Sequence, residues 1–226
     1  MKANFLMLFC LIAFISVAQV SSSPLNTAKD CLYMTAAERE MIYEINRVRS
    51  SPLSYIQYLT PLLNDAKKQL KFSRGDKNYS LTISSTSMNG ENPGTIDTTW
   101  YYTNVEEVKA ISTLITDLKK LEKLSTLQPD SGIYNAAKKH ADDQNLHEWT
   151  LLHTGSDGSD PLQRIISFSS LMTYGNENIA GRYGHATSTQ RDIVLQLLID
   201  SGIPGYGHRY NLLSAMDTCC MQNRKV

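Results

Sequence analysis

Three short motifs that cap helix N-termini constrain the fold of this chain most strongly. In such a motif a hydroxyl and a carboxylate bind backbone N–H groups that the first helical turn leaves free. Apolar residues at helical spacing follow each motif. The motifs are Thr35-x-x-Glu38, Thr103-x-x-Glu106 and Thr189-x-x-Asp192. They predict helices over roughly 36–49, over about 20 residues after Thr103, and over Ile193–Ile199.

Three shorter patterns complete the expected elements. Ser51-Pro52 ends the first helix and begins a short second one. Apolar spacing from Ile133 to Ala141 predicts another helix, and Pro161 begins a short one. Residues 64–103 differ, because they are rich in Gly, Asn, Ser and Thr. We expect an irregular or hairpin excursion there, with β-like runs at Tyr79–Ile83 and Thr98–Tyr102.

The N-terminus has the pattern of a secretory signal peptide. Lys2 precedes an apolar run, Phe5–Val17, and small residues at Ser16 and Ala18 suit cleavage after residue 18. A membrane anchor is the alternative, but the run is short for a membrane span and polar residues follow it. We expect a signal peptide at 1–18, an N-terminal segment at 19–34, and a secreted, extracellular protein (periplasmic if bacterial).

Composition narrows the class of protein. The chain has 226 residues, of which 42% are hydrophobic and 19% charged, as expected for one globular domain, here over 35–226. Lys and Arg number 22, and Asp and Glu also number 22, so charge gives no reason to expect nucleic acid as a partner. We expect no transmembrane segment once the signal peptide is removed.

Three cysteines remain after cleavage of the signal peptide. They are Cys31, Cys219 and Cys220. In an oxidising compartment a disulfide from Cys31 to either of the other two is consistent with this spacing. One thiol is left over in each case, so intermolecular pairing stays open.

Three polar segments carry the candidate functional residues: His153–Pro161, Gly175–Gly181 and Gly205–Leu213. Glycines flank Glu177 and His208, which predicts loops with tight backbone conformations or close approach to another segment. Two imidazoles and a carboxylate suit a zinc or similar divalent-metal site, or an acid–base pair with an orienting carboxylate. They also suit hydrogen-bonding struts with no ligand.

The remaining histidines and two aspartates have structural interpretations. His140 lies on an alanine-rich helix face and is expected at the edge of the core, whereas His147 and His185 are expected at the surface. Asp157 and Asp160 adjoin glycine and proline and are expected in a turn and at a helix cap.

The order of the motifs resembles the CAP superfamily (cysteine-rich secretory, antigen 5 and pathogenesis-related-1 proteins, the SCP domain), especially its bacterial and protist branches. The matching segments run in order over 36–213, with 64–103 only loosely matched. They are Ile133-Tyr-Asn-Ala-Ala-Lys-Lys-His140, His153-Thr-Gly-Ser-Asp-Gly, Gly175-Asn-Glu177-Asn-Ile-Ala-Gly, and Gly207-His208-Arg-Tyr-Asn-Leu-Leu.

The resemblance implies an α+β fold, a three-layer α-β-α sandwich with a mostly antiparallel sheet. The short C-terminus implies that the C-terminal strands are shortened or missing. The resemblance also implies a binding cleft with His153, Glu177, His208 and Asn211, which in some members holds a divalent metal. The family's second glutamate has no counterpart here, and Asp200 is a weak substitute.

The candidate residues are consistent with three functions. The first is binding of a lipid or sterol, an extracellular protein or a divalent metal, and it is favoured because no motif places a nucleophile beside the histidines. The second is a metal-assisted hydrolase or peptidase, with the two histidines holding or activating water and Glu177 as base. The third is a structural polar cluster without a ligand.

Overall fold

A computed structural model gives the fold. Of the segments expected from the sequence, 1–18 and the beginning of 19–34 lie outside the described residues. The described residues are 25–72, 79–80, 101–102, 104–147, 151–169, 172, 174–180, 189–215 and 218–219.

Seven helices dominate the part of the chain that is described. They are α1 (Ala36–Ser50), α2 (Pro52–Phe72), α3 (Asn104–Lys120), α4 (Ser131–Leu146), α5 (Pro161–Phe168), α6 (Gln190–Ile199) and α7 (Gly207–Leu212). Four strands of two residues each accompany them. They are β1 (Tyr79–Ser80), paired antiparallel with β2 (Tyr101–Tyr102), and β3 (Gln128–Pro129), paired parallel with β4 (Thr218–Cys219).

The expected three-layer α-β-α sandwich is wrong. The described residues are mostly helical, and each of their two sheets has only two short strands. The physical reason is that the apolar faces of the helices pack directly on one another: α1 contacts α2 and α6, and α3 contacts α2 and α6. These faces are thus covered without a sheet layer between them.

The capping motifs are confirmed where they can be examined. At α1 the Thr35 hydroxyl accepts from the Glu38 N–H, and the Glu38 carboxylate accepts from the Thr35 N–H. Thr189 and Asp192 form the same pair of bonds at α6. The third motif begins at Thr103, outside the described residues.

The second helix is longer than expected. It continues to Phe72, so the excursion expected from residue 64 begins later along the chain. The strands β1 and β2 pair antiparallel and fall within the two expected β-like runs. The turn between these strands lies outside the described residues.

The main core lies between α1, α2, α3 and α6. Its fully buried members come from all four helices: Met41, Ile45, Val48, Tyr55, Leu59, Ile111, Leu114, Leu118, Val194 and Leu198. A second, smaller cluster of Ala28, Met34, Ile42 and Tyr134 joins the N-terminal segment and α4 to α1. Cys31 packs on this cluster. The side chains of Cys219 and Cys220 lie outside the description, so the disulfide stays a prediction.

Arg209 joins three helices from inside the protein. Its side chain is only 2% exposed, yet all five of its N–H donors have acceptors. The guanidinium also lies 4.1 Å from the ring centroid of Tyr206. The acceptors are the carbonyl oxygens of Ala110, Leu198 and Ile199, the Thr113 hydroxyl and the Asp117 carboxylate.

Replacing Arg209 by Met is expected to lower the free energy of unfolding by about 3–5 kcal/mol, because buried acceptors lose their donor. Urea unfolding followed by circular dichroism measures the change. Lys138→Met is the control, since the Lys138–Asp142 ion pair is about half exposed and screened by solvent, so its loss is expected to change the free energy of unfolding far less. Equal losses in the two variants would contradict this role of Arg209.

Candidate functional site

A cavity of about 160 Å³ lies between α1, α4, α5 and the loop 174–180. Most of its wall is apolar. Ile45 of α1 and Leu127 form one side, and small residues of α4 leave the space open. The α4 residues that line it include Ile133, Ala136, Ala137 and Ala141. We call this space the α4–α5 cavity.

The loop that carries Glu177 approaches α5 closely. A Cβ at Gly175 would lie 2.5 Å from the Ile165 side chain, so glycine permits this approach. The expectation that glycine before Glu177 marks a close backbone approach is confirmed. The approach brings Glu177 onto the cavity wall beside Arg164.

Glu177 lies at the centre of a charged cluster on the cavity wall. Arg164 donates from Nη2 to both carboxylate oxygens at 3.0 Å, and the His153 Nδ1 lies 3.1 Å from Oε1. The His140 Nε2 is 3.8 Å from the same oxygen. We call His140, His153, Arg164 and Glu177 the Glu177 cluster.

The partners of Glu177 control its protonation. Burial acts to raise the pKa of this carboxyl, but the hydrogen bond to His153 and the positive charge of Arg164 outweigh burial. The pKa of Glu177 therefore lies below its ordinary value, and the group is a carboxylate at neutral pH.

Arg164 holds the cluster together. Its side chain is 2% exposed. Besides Glu177 it binds the backbone carbonyls of His153 and Ser159, at 2.9 Å and 2.7 Å. One guanidinium thus connects α5, the loop before it and the loop of Glu177.

Neither Arg164 nor His140 was expected to be a site residue. His140 is buried, as expected for the edge of the core, but it also lines the cavity. The available signals were an arginine beside Ile165 on the apolar side of α5 and the small residues one turn before His140 on α4. Neither pattern distinguishes a site residue from an ordinary core residue.

His208 belongs to a different pair. It lies in α7, not in the loop expected from its glycines. Its Nδ1 is 2.7 Å from the buried carboxylate of Asp200, which also accepts from the His208 backbone N–H. Asp200, expected as a weak metal ligand, is thus a hydrogen-bond acceptor for His208.

Asparagine side chains connect the His153–Glu177 pair to the His208–Asp200 pair. Asn178 donates to the His208 carbonyl oxygen, and Asn211 donates to the Asn178 side-chain oxygen at 2.8 Å. Asn211 and Asn178 line the α4–α5 cavity together with Glu177. His153, at 53% exposed, lies at the surface end of the cluster. The expected cleft residues His153, Glu177, His208 and Asn211 are therefore linked through hydrogen bonds. The imidazole of His153 binds Glu177, however, whereas that of His208 binds Asp200.

The residues present do not fit a metal centre. Arg164 occupies both oxygens of Glu177, and its positive charge opposes a dication there. The imidazoles of His153 and His208 also hydrogen-bond to two different carboxylates, Glu177 and Asp200. Among the described residues, no group of three His, Cys, Asp or Glu side chains is placed to hold a metal ion.

The structural interpretations of three other residues are confirmed. Asp160 caps α5 by accepting from the Gln163 N–H. Asp157 accepts from the Ser159 N–H in the preceding turn. His147 is exposed at the end of α4, and His185 lies outside the described residues.

No protein-family model matches this chain, and no curated protein or solved structure matches it. Among the helices of the described segments, none combines the length and apolar character that crossing a membrane requires.

The lowered pKa of Glu177 predicts a loss of stability in acid. A carboxyl with a lower pKa in the folded state stabilises that state above its unfolded pKa, about 4.3, and this contribution is lost as pH falls through the folded value. Between about pH 5 and pH 3, the free energy of unfolding of the wild type is expected to fall more steeply than that of Glu177→Gln. Urea titrations at each pH measure both slopes, and parallel slopes would exclude this contribution.

Divalent metal is expected to leave the protein unchanged. Because the guanidinium of Arg164 lies on Glu177 and no three ligating side chains converge among the described residues, zinc at tenfold excess or EDTA is expected to shift the midpoint of thermal unfolding by less than about 1 °C. Differential scanning calorimetry checks this. A zinc-dependent rise in this midpoint that His153→Ala abolishes would instead support a metal site.

Proposed function

We propose that this chain is a secreted binding protein whose α4–α5 cavity takes a small apolar molecule, or one apolar end of a larger lipid. The observation that supports this proposal is that the cavity combines an apolar wall with a few polar groups at one side. Small-molecule sites in proteins have this composition, in which apolar surface supplies affinity and polar groups fix orientation.

The size of the cavity limits its occupant. At about 160 Å³ it is smaller than the roughly 300–1,000 Å³ of sites for drug-sized ligands. A cavity of about 150 Å³ with apolar walls accepts a molecule the size of benzene. The proposal is therefore a single ring or a short chain, not a whole sterol.

The resemblance to the CAP superfamily supports the same kind of function. Members of that family are reported to bind sterols, lipids, partner proteins or metal. The segments that carry the resemblance contain Glu177 and Asn211, which line the cavity. Secretion, expected from the N-terminal apolar run, is part of this proposal.

The alternative function, a metal-assisted hydrolase, is less consistent with the geometry than a binding function. A general base needs a pKa near the working pH and a free lone pair aimed at the substrate. Arg164 and His153 occupy the Glu177 carboxylate and hold its pKa low. This arrangement makes Glu177 a weak base and a stable anchor.

Toluene is the probe for this proposal, and Ala137→Leu is the variant. The added side chain fills part of the cavity, so toluene affinity is expected to fall by at least tenfold relative to the wild type. Nuclear magnetic resonance titration of the backbone amides measures the dissociation constant. Ala36→Leu, on the exposed first turn of α1, is the matched control and is expected to bind toluene normally. Wild-type protein that binds no toluene would overturn the proposal.

A further inference from the structure

Gln144 places a side-chain amide on the wall of the α4–α5 cavity. The residue is only 6% exposed. On α4 it continues the stripe of cavity-lining residues that includes Ile133, Ala137 and Ala141, which recur at helical spacing. It lies two turns beyond Ala137, about 10 Å further along the helix axis. Gln144 is therefore the last residue of α4 on the cavity wall.

The backbone of Leu152 fixes which end of this amide is free. The Leu152 N–H donates to the Gln144 Oε1 at 3.3 Å, and the Leu152 carbonyl oxygen lies 2.8 Å from the Nε2 of His140. Because a backbone N–H can only donate, the amide atom that it binds is the oxygen. The other atom of the amide is the amino nitrogen Nε2, which carries two N–H donors.

The Nε2 of Gln144 has no hydrogen-bond partner among the described residues, yet it is not enclosed. The fully enclosed side-chain polar atoms without a partner in that part of the chain are the His140 Nδ1, the Arg164 Nε and the Ser201 Oγ. The Gln144 Nε2 is not among them, so it keeps accessible surface although its residue is buried and lines the cavity. A molecule in the cavity can therefore reach this donor, and buried donors in proteins have acceptors as a rule.

The partner of Nε2 has to be a hydrogen-bond acceptor. A carbonyl oxygen accepts, and it carries no proton that needs an acceptor in turn. An ammonium group cannot accept. A carboxylate can accept, but burying its charge is unfavourable without a cation, and the guanidinium of Arg164 already binds Glu177.

We propose that the occupant of the α4–α5 cavity is a small neutral carbonyl compound, a ketone or an ester, whose oxygen accepts a hydrogen bond from the Gln144 Nε2. Its apolar body lies towards Ala141 and Ala137. This inference rests on the proposed function, because it names the chemical class of ligand for the same cavity.

Four probes of nearly the same shape test the proposal: acetophenone, α-methylstyrene, 1-phenylethanol and benzoate. α-Methylstyrene has a CH₂ group where acetophenone has its carbonyl oxygen, so this pair isolates the hydrogen bond. Titrations of the full mature chain at pH 7 measure the four dissociation constants. Acetophenone is expected to bind more tightly than 1-phenylethanol and benzoate.

Gln144→Met is the diagnostic variant, because methionine has a similar length and lacks the amide. The ratio of the dissociation constants of α-methylstyrene and acetophenone is expected to be about fivefold to tenfold higher in the wild type than in this variant. Comparing ratios cancels the different hydration of the two probes. Asn145→Met, which removes an exposed amide from the next position of α4, is the matched control and is expected to keep the wild-type ratio.

Infrared spectroscopy of bound acetophenone gives a second measurement on the wild type alone. A hydrogen bond weakens the C=O bond, so the carbonyl stretch of the bound probe is expected below its value in a hydrocarbon solvent. This measurement decides the case even where Gln144→Met fails to fold.

The outcomes separate the two proposals. If α-methylstyrene binds but the carbonyl stretch of acetophenone keeps its hydrocarbon value, or the ratio is the same in Gln144→Met, the carbonyl ligand is overturned and the apolar cavity function stands. Tighter binding of 1-phenylethanol or benzoate than of acetophenone would also overturn it. If none of the probes binds, both proposals fail.

Discussion

Buried arginines impose the requirement on which the rest of this structure depends. Arg49, Arg164 and Arg209 are each 2% exposed or less. A guanidinium in the interior stays charged and needs an acceptor for each of its donors. Backbone carbonyls at the ends of helices and in loops supply many of these acceptors, so each arginine fixes several segments at once. Arg49, for example, holds the carbonyls of Ser125, Leu212 and Ser214.

Arg209 and Arg164 differ in how many of their N–H donors have acceptors within the protein. Arg209 uses all five donors within the core, so its surroundings are complete without a ligand. Arg164 uses its terminal nitrogens to hold Glu177 and two carbonyls, and its Nε has no partner among the described residues. Arg164 thus assembles the polar side of the cavity wall. Small side chains on α4 provide the adjacent space, because alanine leaves volume that a larger residue would fill.

Two histidines and a glutamate that suggested one metal centre occur instead as two hydrogen-bonded pairs. Local sequence could not reveal this pairing, because Arg164 and Asp200 look like an ordinary helix residue and a helix C-terminal residue. Asp200 ends α6 in a left-handed conformation, with φ of 55°, and this geometry places its carboxylate beside the N–H of His208. The pairing of Arg164 with Glu177 and of Asp200 with His208 is a property of the folded chain alone.

The sequence by itself determined where several of the helices begin. Thr35 and Thr189 capped their helices as predicted, since capping depends on residues only three positions apart. Asp160 did the same for α5. The resemblance predicted a sandwich that the described residues do not have, because similar short motifs do not specify how helices pack. Tertiary structure alone decided which charges meet and where a cavity remains, because both depend on contacts between segments far apart in sequence, as between Arg164, Glu177 and His140.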